Sequence, residues 1–292
     1  MRINIDNDAG FCFGVAKSIE LAEQAVLKTK SLKCLGQLVH NEQEVQRLED
    51  LGVEFIDYDK FSQLTNATVL LRAHGEPPET YEIAKRNNIE LIDATCSIVS
   101  SLQNKIYCSW EELSENGGQL VIFGDANHPE VLGLNGQTKK NAIIVNNVSD
   151  FSEIDFTLPI HLFTQTTKSK KKFEELAAEL TLRAKNEIDS SSKEIKINNS
   201  ICKHVSNREE SIIRIAKDYK LVLFVAGKNS SNGKMLFDIC KTANPNSYYI
   251  SSIDDIIKIN LEGVDSIGIT GATSSPQWLM RKIKTHLEDI FN

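Results

Sequence analysis

The sequence predicts an α/β protein built from three copies of one α/β unit. In each copy a short apolar run ends in small or polar residues, a cysteine follows, and a helical pattern begins after it. The cysteines are Cys12, Cys96 and Cys202. Diverged repeats explain this recurrence more simply than separate coincidences. We therefore expect three pseudo-symmetric α/β domains, at residues 1–96, 97–199 and 200–292, arranged around one centre.

Each copy continues with two further apolar runs that also end in polar residues. His40 lies 28 residues after Cys12, and Ser230 lies 28 residues after Cys202. The polar residues that end these runs are His40, His74, His128, Thr166, Ser230 and Ser274. A pseudo-threefold arrangement would bring the three cysteines to one centre surrounded by six polar loops.

Composition restricts the class of protein. The chain has 292 residues, of which 41% are hydrophobic and 25% charged, which is typical of a globular protein large enough for more than one core. A net charge of −7 argues against a nucleic-acid partner. No apolar stretch approaches the roughly 20 residues of a membrane span, and no leader pattern precedes the first strand. We expect a cytoplasmic protein with reduced thiols, and the absence of C-x-x-C argues against a zinc ribbon.

The first copy reads β-α-β-α-β-α-β. Its first helix should run from Phe13 to Val26, since apolar residues recur there at helical spacing. The run Leu35–Val39 predicts a strand, Asn41 opens the next helix and Gly52 ends it. Pro78 suits the first turn of a further helix.

The second copy predicts a helix from Ser97 to Leu113, a strand from Gln119 to Phe123 and a helix that begins at Pro129. Four lysines near the start of its last helix suit a solvated helix face, with the docking of an acidic electron donor as the alternative: Lys168, Lys170, Lys171 and Lys172. The stretch Asp189–Ser192 is the expected linker.

The third copy contains a loop of small, hydrogen-bonding residues, 226–233, suited to enclosing an anion. It is not a P-loop, and no G-x-G-x-x-G follows a strand anywhere, so a dinucleotide site has no support. Three cysteines lie outside the repeat on apolar or helical patterns, and we expect them to be buried: Cys34, Cys108 and Cys240.

Three converging thiolates without a fourth indicate a metal centre with an open position. Zinc could use such a site, but so could an iron–sulfur cluster whose fourth iron binds substrate. Neutral donors at strand ends and helix N-termini suit a phosphorylated ligand. These donors are His40, His74, His128, Thr166, Ser230, Ser231, Asn232 and Ser274. Glu130 is placed to donate a proton, although a glutamate in the first turn is often only a partner of the helix dipole.

These motifs together resemble the IspH/LytB family of 4-hydroxy-3-methylbut-2-enyl diphosphate reductases. The resemblance runs in order from residue 10 to residue 276. It is carried by Gly10–Val15, Leu38–Asn41, Arg72–Gly75, Asp93–Cys96, His128–Val131, Thr164–Thr167, Ile201–Cys202, Asn229–Asn232 and Ser274–Pro276. The chain departs from the family pattern at Gly233, where Thr is frequent, and at Ala226, where Gly is common.

The resemblance implies an enzyme with a central [4Fe-4S] cluster on Cys12, Cys96 and Cys202 that has one open iron. It implies reductive dehydroxylation of (E)-4-hydroxy-3-methylbut-2-enyl diphosphate to isopentenyl and dimethylallyl diphosphate, the last step of the methylerythritol phosphate (MEP) route of isoprene biosynthesis. Reduced ferredoxin or flavodoxin would donate the electrons. His128, Thr166 and Glu130 would be catalytic, and the donors named above would bind the diphosphate substrate.

Two other hypotheses compete with this one. A non-catalytic iron–sulfur sensor would explain the cysteines but not the donors around them or Glu130. A zinc phosphohydrolase would contain zinc without acid-labile sulfide.

Overall fold

The computed structural model describes residues 1–186 and 194–291, and its fold is α/β. The expected linker Asp189–Ser192 lies outside the described residues. Twelve strands are described: β1 Arg2–Ile5, β2 Leu32–Leu35, β3 Val53–Ile56, β4 Thr68–Leu71, β5 Glu90–Asp93, β6 Gln119–Phe123, β7 Ile143–Val145, β8 Ile160–Thr164, β9 Ile195–Ile197, β10 Leu221–Val225, β11 Ser247–Ile250 and β12 Ser266–Gly271.

Ten α-helices connect these strands within the described ranges. They are α1 Phe13–Thr29, α2 Glu42–Leu51, α3 Tyr58–Gln63, α4 Pro78–Arg86, α5 Ser97–Asn116, α6 Pro129–Gly136, α7 Lys170–Asn186, α8 Lys203–Asp218, α9 Ser231–Ala243 and α10 Gln277–Phe291. No helix among the described residues is both long enough and apolar enough to cross a membrane.

The strands form three four-stranded sheets, and every pairing described within them is parallel. The chain divides into two compact units, and two of the sheets each lie wholly within one unit. Because connected parallel strands need crossover segments, helices cover the faces of such sheets.

The first unit combines Met1–Asp57 with Lys203–Asn292. Its complete sheet has the order β1-β12-β10-β11. Apolar residues of α10, such as Ile283, pack with β1, β10 and β12 in one core cluster. Residues of α8 and α9, such as Ile212 and Cys240, pack with β10 in another. The same unit contains the parallel pair of β2 and β3.

The second unit spans Tyr58–Cys202. Its complete sheet has the order β7-β6-β8-β9. Apolar residues of α7 pack with β6, β7 and β8 in one cluster, and residues of α5 and α6 pack with β6 and β8 in a second cluster. The parallel pair of β4 and β5 also belongs to this unit.

Several local predictions differ from the structure. The strand expected at Leu35–Val39 lies earlier, at β2, and Gly36, with a φ of 70°, follows its last residue. Residues 1–96 contain five strands and four helices, one of each more than the predicted β-α-β-α-β-α-β pattern, and the short helix α3 is among them. Helix α8 begins at Lys203, whereas the sequence pattern predicts a helix only from Arg208 to Tyr219.

The first strand also has an unexpected partner. β1 pairs with β12, in register from Arg2 opposite Ser266 to Ile5 opposite Ile269. The strand at the start of the predicted first copy therefore lies in the same sheet as the strands of the third copy. Local sequence patterns contain no information on this pairing, because the partners are separated by most of the chain.

The prediction that Cys108 is buried is wrong. Cys34 and Cys240 are buried as expected, but Cys108 is exposed on α5. The buried face of α5 is formed by Val99, Leu102, Ile106 and Leu113, and Cys108 lies on the opposite side of the helix.

Candidate functional site

The three repeat cysteines lie at the N-termini of long helices. Cys12 is the N-cap of α1, Cys96 is the N-cap of α5, and Cys202 directly precedes α8. All three are partly exposed, and none of the six cysteines, all of which are described, is joined in a disulfide. Cysteine binds metals as a thiolate, and the positive end of the helix dipole would stabilise a metal-bound thiolate at these positions.

Backbone contacts fix each of these cysteines within its own unit. The N–H of Cys12 donates to the carbonyl of Thr273 at 3.1 Å, in the first unit. In the second unit the N–H of Cys96 donates to Ala73 at 3.1 Å, and that of Cys202 donates to Thr166 at 2.9 Å. Each cysteine is thereby held beside a loop that carries predicted substrate-binding residues.

In the first unit a cluster of polar side chains lies at the N-terminus of α9. Ser230 is the N-cap, and its Oγ accepts from the N–H of Gly233 at 3.0 Å and lies 3.3 Å from Oγ of Ser274. Asn232 donates to Oγ1 of Thr273 at 2.8 Å, while its Oδ1 is buried without a hydrogen-bond partner. Ser231 is exposed. The structure thus brings Ser230, Asn232 and Ser274 together at the N-terminus of α9.

His40 reaches the same loop through its backbone. A Cβ on Gly227 would lie 2.1 Å from the carbonyl oxygen of His40, so only glycine permits this approach. Asn41, the next residue, caps α2 by accepting from the N–H of Glu44 at 3.1 Å. The approach positions His40 beside the loop 226–233.

The two departures from the family pattern are in contact. A Cβ added to Gly233 would lie 2.8 Å from Cβ of Ala226 and 3.0 Å from both Cβ and Oγ of Ser230. Ala226 is fully buried, so it cannot move into open space. The methyl group of Ala226 therefore occupies room that a larger residue at Gly233 would need.

In the second unit Glu130 and Thr166 form a buried pair. Oε1 of Glu130 accepts from the N–H of Thr166 at 2.6 Å, and its Oε2 lies 2.7 Å from Oγ1 of Thr166. The exposed fractions of Glu130 and Thr166 are 2% and 5%. Burial raises the pKa of Glu130 to about 7, against the lowering effect of its two hydrogen bonds from Thr166. A carboxyl group with this pKa can both hold and release a proton near neutral pH.

His128 and His74 lie next to this pair. His128 caps α6, and its Nδ1 accepts from the N–H of Glu130 at 3.2 Å, which leaves Nε2 to carry the ring proton. The rings of His74 and His128 meet edge to face at 5.4 Å between centroids. A Cβ on Gly133 would lie 2.8 Å from the carbonyl oxygen of Gly75, so α6 packs directly on the loop of His74.

The first unit also contains a buried ion pair, between Arg208 and Asp6, that the sequence did not reveal. Arg208 donates to Oδ2 of Asp6 at 2.9 Å and to Oγ1 of Thr270 at 2.9 Å. Both charged side chains are about 95% buried, with 6% and 5% exposed. The pair links α8 to the ends of β1 and β12, which precede Cys12 and Ser274.

One signal in the sequence could have revealed this pair. Arg208 occupies a position on the same helical face as the apolar residues Val205, Ile212 and Ile215. A charged residue on a buried face requires a partner.

Comparisons with known proteins agree on one family. The sequence model of the LytB protein family matches residues 3–288. A 4-hydroxy-3-methylbut-2-enyl diphosphate reductase of Parabacteroides distasonis is 46% identical over 290 residues, covering 99% of this chain and 98% of the relative. An enzyme of the same name from Bacteroides fragilis is 46% identical over 283 residues, with 97% and 96% covered.

Solved structures give the same result. The structure of an (E)-4-hydroxy-3-methyl-but-2-enyl diphosphate reductase, described as the terminal enzyme of the non-mevalonate pathway, superimposes with a TM-score of 0.72 at 32% identity and covers 99% of this chain and 100% of that one. The E-1-hydroxy-2-methyl-but-2-enyl-4-diphosphate reductase from Plasmodium falciparum gives a TM-score of 0.84 at 26% identity, with 98% and 87% covered. Both confirm the predicted α/β fold. Since the family match spans nearly the whole sequence, this chain belongs to the LytB family.

Proposed function

We propose that this protein is a 4-hydroxy-3-methylbut-2-enyl diphosphate reductase. It removes the hydroxyl group of the allylic diphosphate, consuming two electrons and two protons and releasing water with isopentenyl or dimethylallyl diphosphate. Membership of the LytB family and the names of the relatives support this assignment. The buried Glu130–Thr166 pair is the observation that carries it, because a carboxyl group with a pKa of about 7 beside a hydroxyl group supplies the proton donor that this reaction needs.

The residues present fit a [4Fe-4S] cluster bound by Cys12, Cys96 and Cys202. Each is a partly exposed cysteine at a helix N-terminus, where the helix dipole would stabilise a metal-bound thiolate. Three ligands leave one iron open. When bound, the cluster would supply single electrons and a Lewis-acidic iron. Cys34 and Cys240 do not fit this role, since both are fully buried.

The diphosphate would be held by hydrogen bonds at helix N-termini. Ser230 and Asn232 lie in the first turn of the 13-residue helix α9, where backbone N–H groups and the helix dipole favour an anion. Ser274 and the exposed Ser231 add hydroxyl donors. His40, His74 and His128 complete the proposed set, and the proton on Nε2 makes His128 a donor.

Glu130 would deliver the proton that the departing hydroxyl group requires. Hydroxide is a poor leaving group, and its protonation turns it into water. Thr166 contacts the carboxyl group directly through Oγ1 and would relay the proton to the substrate's oxygen. Both side chains are buried, so bulk water is kept from the proton path.

We also propose reduced ferredoxin or flavodoxin as electron donor, and a cytoplasmic location. The lysines at the start of α7 fit a solvated helix face better than a docking site. Lys170 and Lys171 lie 3.9 Å and 4.0 Å from Glu174 and Glu175, one turn further along the helix.

The decisive experiment is anaerobic purification with counts of iron and acid-labile sulfide, followed by an assay of the reductase reaction. Four irons and four sulfides per chain together with turnover would support the proposal. A full cluster without turnover would favour the non-catalytic sensor, and zinc without sulfide would favour the phosphohydrolase. The non-catalytic sensor does not account for the Glu130–Thr166 pair.

A further inference from the structure

A second cluster of metal-binding side chains lies in the Tyr58–Cys202 unit. It consists of Glu112 on α5, His161 on β8 and Glu194 directly before β9. One ligand atom from each residue lies within 4.8 Å of the other two. His161 is the second residue of β8, whereas Thr166 follows the carboxyl end of that strand. The cluster therefore lies at the opposite end of the sheet from the Glu130–Thr166 pair.

The histidine of this cluster is buried and oriented. The exposed fraction of His161 is 1%, and its Nδ1 forms a hydrogen bond with Oγ of Ser109. Its Nε2 is buried without a hydrogen-bond partner and faces Oε2 of Glu194 at 3.9 Å. Histidines that bind metals characteristically donate their second ring nitrogen to such a partner, which fixes the tautomer and the direction of the ring.

The buried nitrogen of the cluster suits a cation. Nε2 of His161 has no hydrogen-bond partner and can offer its lone pair to a metal ion. A buried nitrogen without a partner is destabilising, and a metal ion would remove that penalty.

Lys196 already places a positive charge in this cluster. Its Nζ lies 2.7 Å from Oε1 of Glu112 and 3.2 Å from Oε1 of Glu194. The lysine side chain is 38% exposed, so the ammonium group can turn into solvent. A divalent ion in its place would neutralise both carboxylates and also bind the nitrogen of His161.

The cluster opens to solvent through a cavity of about 540 Å³. Cys108, whose exposure contradicted the sequence prediction, lines this cavity one helical turn before Glu112. The cluster itself offers one nitrogen and two carboxylates. Nitrogen together with carboxylate oxygen suits zinc, whereas magnesium and calcium prefer oxygen alone.

We propose that Glu112, His161 and Glu194 form a zinc site that is separate from the catalytic centre, with Lys196 leaving when the ion enters. A water molecule or Cys108 completes the four ligands that zinc prefers. The ion would link α5, which begins after Cys96, to β8 and β9. The proposal uses none of the residues assigned to the reductase reaction, so it stands or fails independently of that function.

The test uses full-length protein with its cluster loaded, handled without oxygen. Zinc binding is measured by isothermal titration with a competing chelator, and zinc content is checked by elemental analysis. One zinc per chain is expected beyond the cluster iron. Glu112→Gln and His161→Gln should each weaken binding at least about tenfold, because even the loss of an outer partner of a ligand costs that much. Ser109→Ala should weaken it about 10- to 100-fold through the orientation of His161.

Lys196→Met should change the zinc affinity in the opposite direction, which distinguishes the proposal from simple misfolding of the variants. Removal of the competing ammonium should tighten zinc binding about five- to tenfold, which an unfolded variant could not do. His286→Gln, on α10, is the matched control and should leave the affinity unchanged. Zinc should also raise the melting temperature of the wild type but not of Glu112→Gln.

Three outcomes would overturn the proposal. These are the absence of zinc beyond the cluster in the wild type, zinc binding that Glu112→Gln and His161→Gln leave intact, and a preference for magnesium or calcium over zinc. The first would mean that the cluster of side chains is only an ion-pair network around Lys196.

Discussion

Glu130→Gln is the substitution that tests the proposed chemistry most directly. Glutamine has nearly the same shape as a protonated glutamate and can keep both contacts with Thr166. Its oxygen can accept from the N–H of Thr166, which now lies 2.6 Å from Oε1 of Glu130. Its amide can donate to Oγ1 of Thr166, which now lies 2.7 Å from Oε2. It cannot deliver an acidic proton. The variant should therefore fold, load its cluster and bind the diphosphate normally.

The expected loss of turnover follows from the acid's role. A positioned general acid contributes about 10²- to 10⁴-fold to a rate, so turnover should fall by that factor. In the wild type the acid is present below the pKa of Glu130, so turnover should decline as the pH rises through about 7. Glu130→Gln should lack that decline. Thr166→Val should lower turnover because the relay is lost, and the remaining turnover should decline at higher pH, because the Thr166 hydroxyl lowers the pKa of Glu130.

The same raised pKa predicts a stability effect. Between the ordinary value of 4.5 and about 7, the folded protein holds a proton on Glu130 that the unfolded chain releases. The free energy of unfolding should then decrease as the pH rises across this window, by roughly 3 kcal/mol in total at 1.36 kcal/mol per pKa unit. Denaturant unfolding of the wild type and Glu130→Gln at pH 5 and pH 8 measures the difference between the two slopes.

The assay follows substrate consumption with a chemical reductant under anaerobic conditions, alongside iron content and the affinity for a product diphosphate. Near-normal turnover in Glu130→Gln, with an unchanged pH profile, would refute the assignment and leave Glu130 as a partner of the helix dipole. Loss of cluster or of diphosphate affinity would show instead that Glu130 has a structural role.

Three further predictions concern ligation, anion binding and packing. The proposed ligands are Cys12, Cys96 and Cys202, and serine in place of any of them should remove iron, sulfide and activity together. Cys108→Ala should keep all three. Asn232→Ala and Ser230→Ala should each weaken product diphosphate binding about 10- to 150-fold, at roughly 1.5–3 kcal/mol per hydrogen bond to a charged group, with an unchanged cluster spectrum; equal affinity in both variants would remove them from the anion site. Gly233→Ala should lower the free energy of unfolding of the wild-type protein by about 1–3 kcal/mol through overpacking. In the Ala226→Gly background the same substitution should lower it less, or raise it. Additive effects in a double-mutant cycle would contradict the proposed contact.

The sequence predicted local features of the site well, because those features depend on short-range chemistry. The strand Gln119–Phe123 and the helix start at Pro129 are where the sequence placed them, and they carry His128 and Glu130 to the predicted helix N-terminus. The N-cap role of Ser230 reflects the same short-range preferences.

What the sequence did not reveal depends on contacts between distant residues. The exposure of Cys108 is the exception, because the helical spacing of Leu102, Ile106 and Leu113 already places Cys108 on the other side of α5. The Asp6–Arg208 pair joins residues 202 positions apart. The direction of the Glu130 pKa shift likewise required knowledge of its complete burial.

The pairing of β1 with β12 has a consequence for biosynthesis. Translation produces β1 first and its neighbour β12 almost last, so Ile3 cannot pair with Ile267 until most of the chain has been made. Cys12 lies in the loop after β1, and the N–H of Cys12 donates to the carbonyl of Thr273. On an unfinished chain both the strand pairing with β12 and this hydrogen bond are missing. At about 5–20 residues per second, synthesis leaves this strand unpaired for many seconds. Metal delivery to Cys12 on the ribosome would meet an unformed loop, and the thiol would be exposed to oxidation during that interval. Insertion of the proposed cluster should therefore follow release of the chain, and conditions that slow translation should lower the fraction of protein that acquires iron.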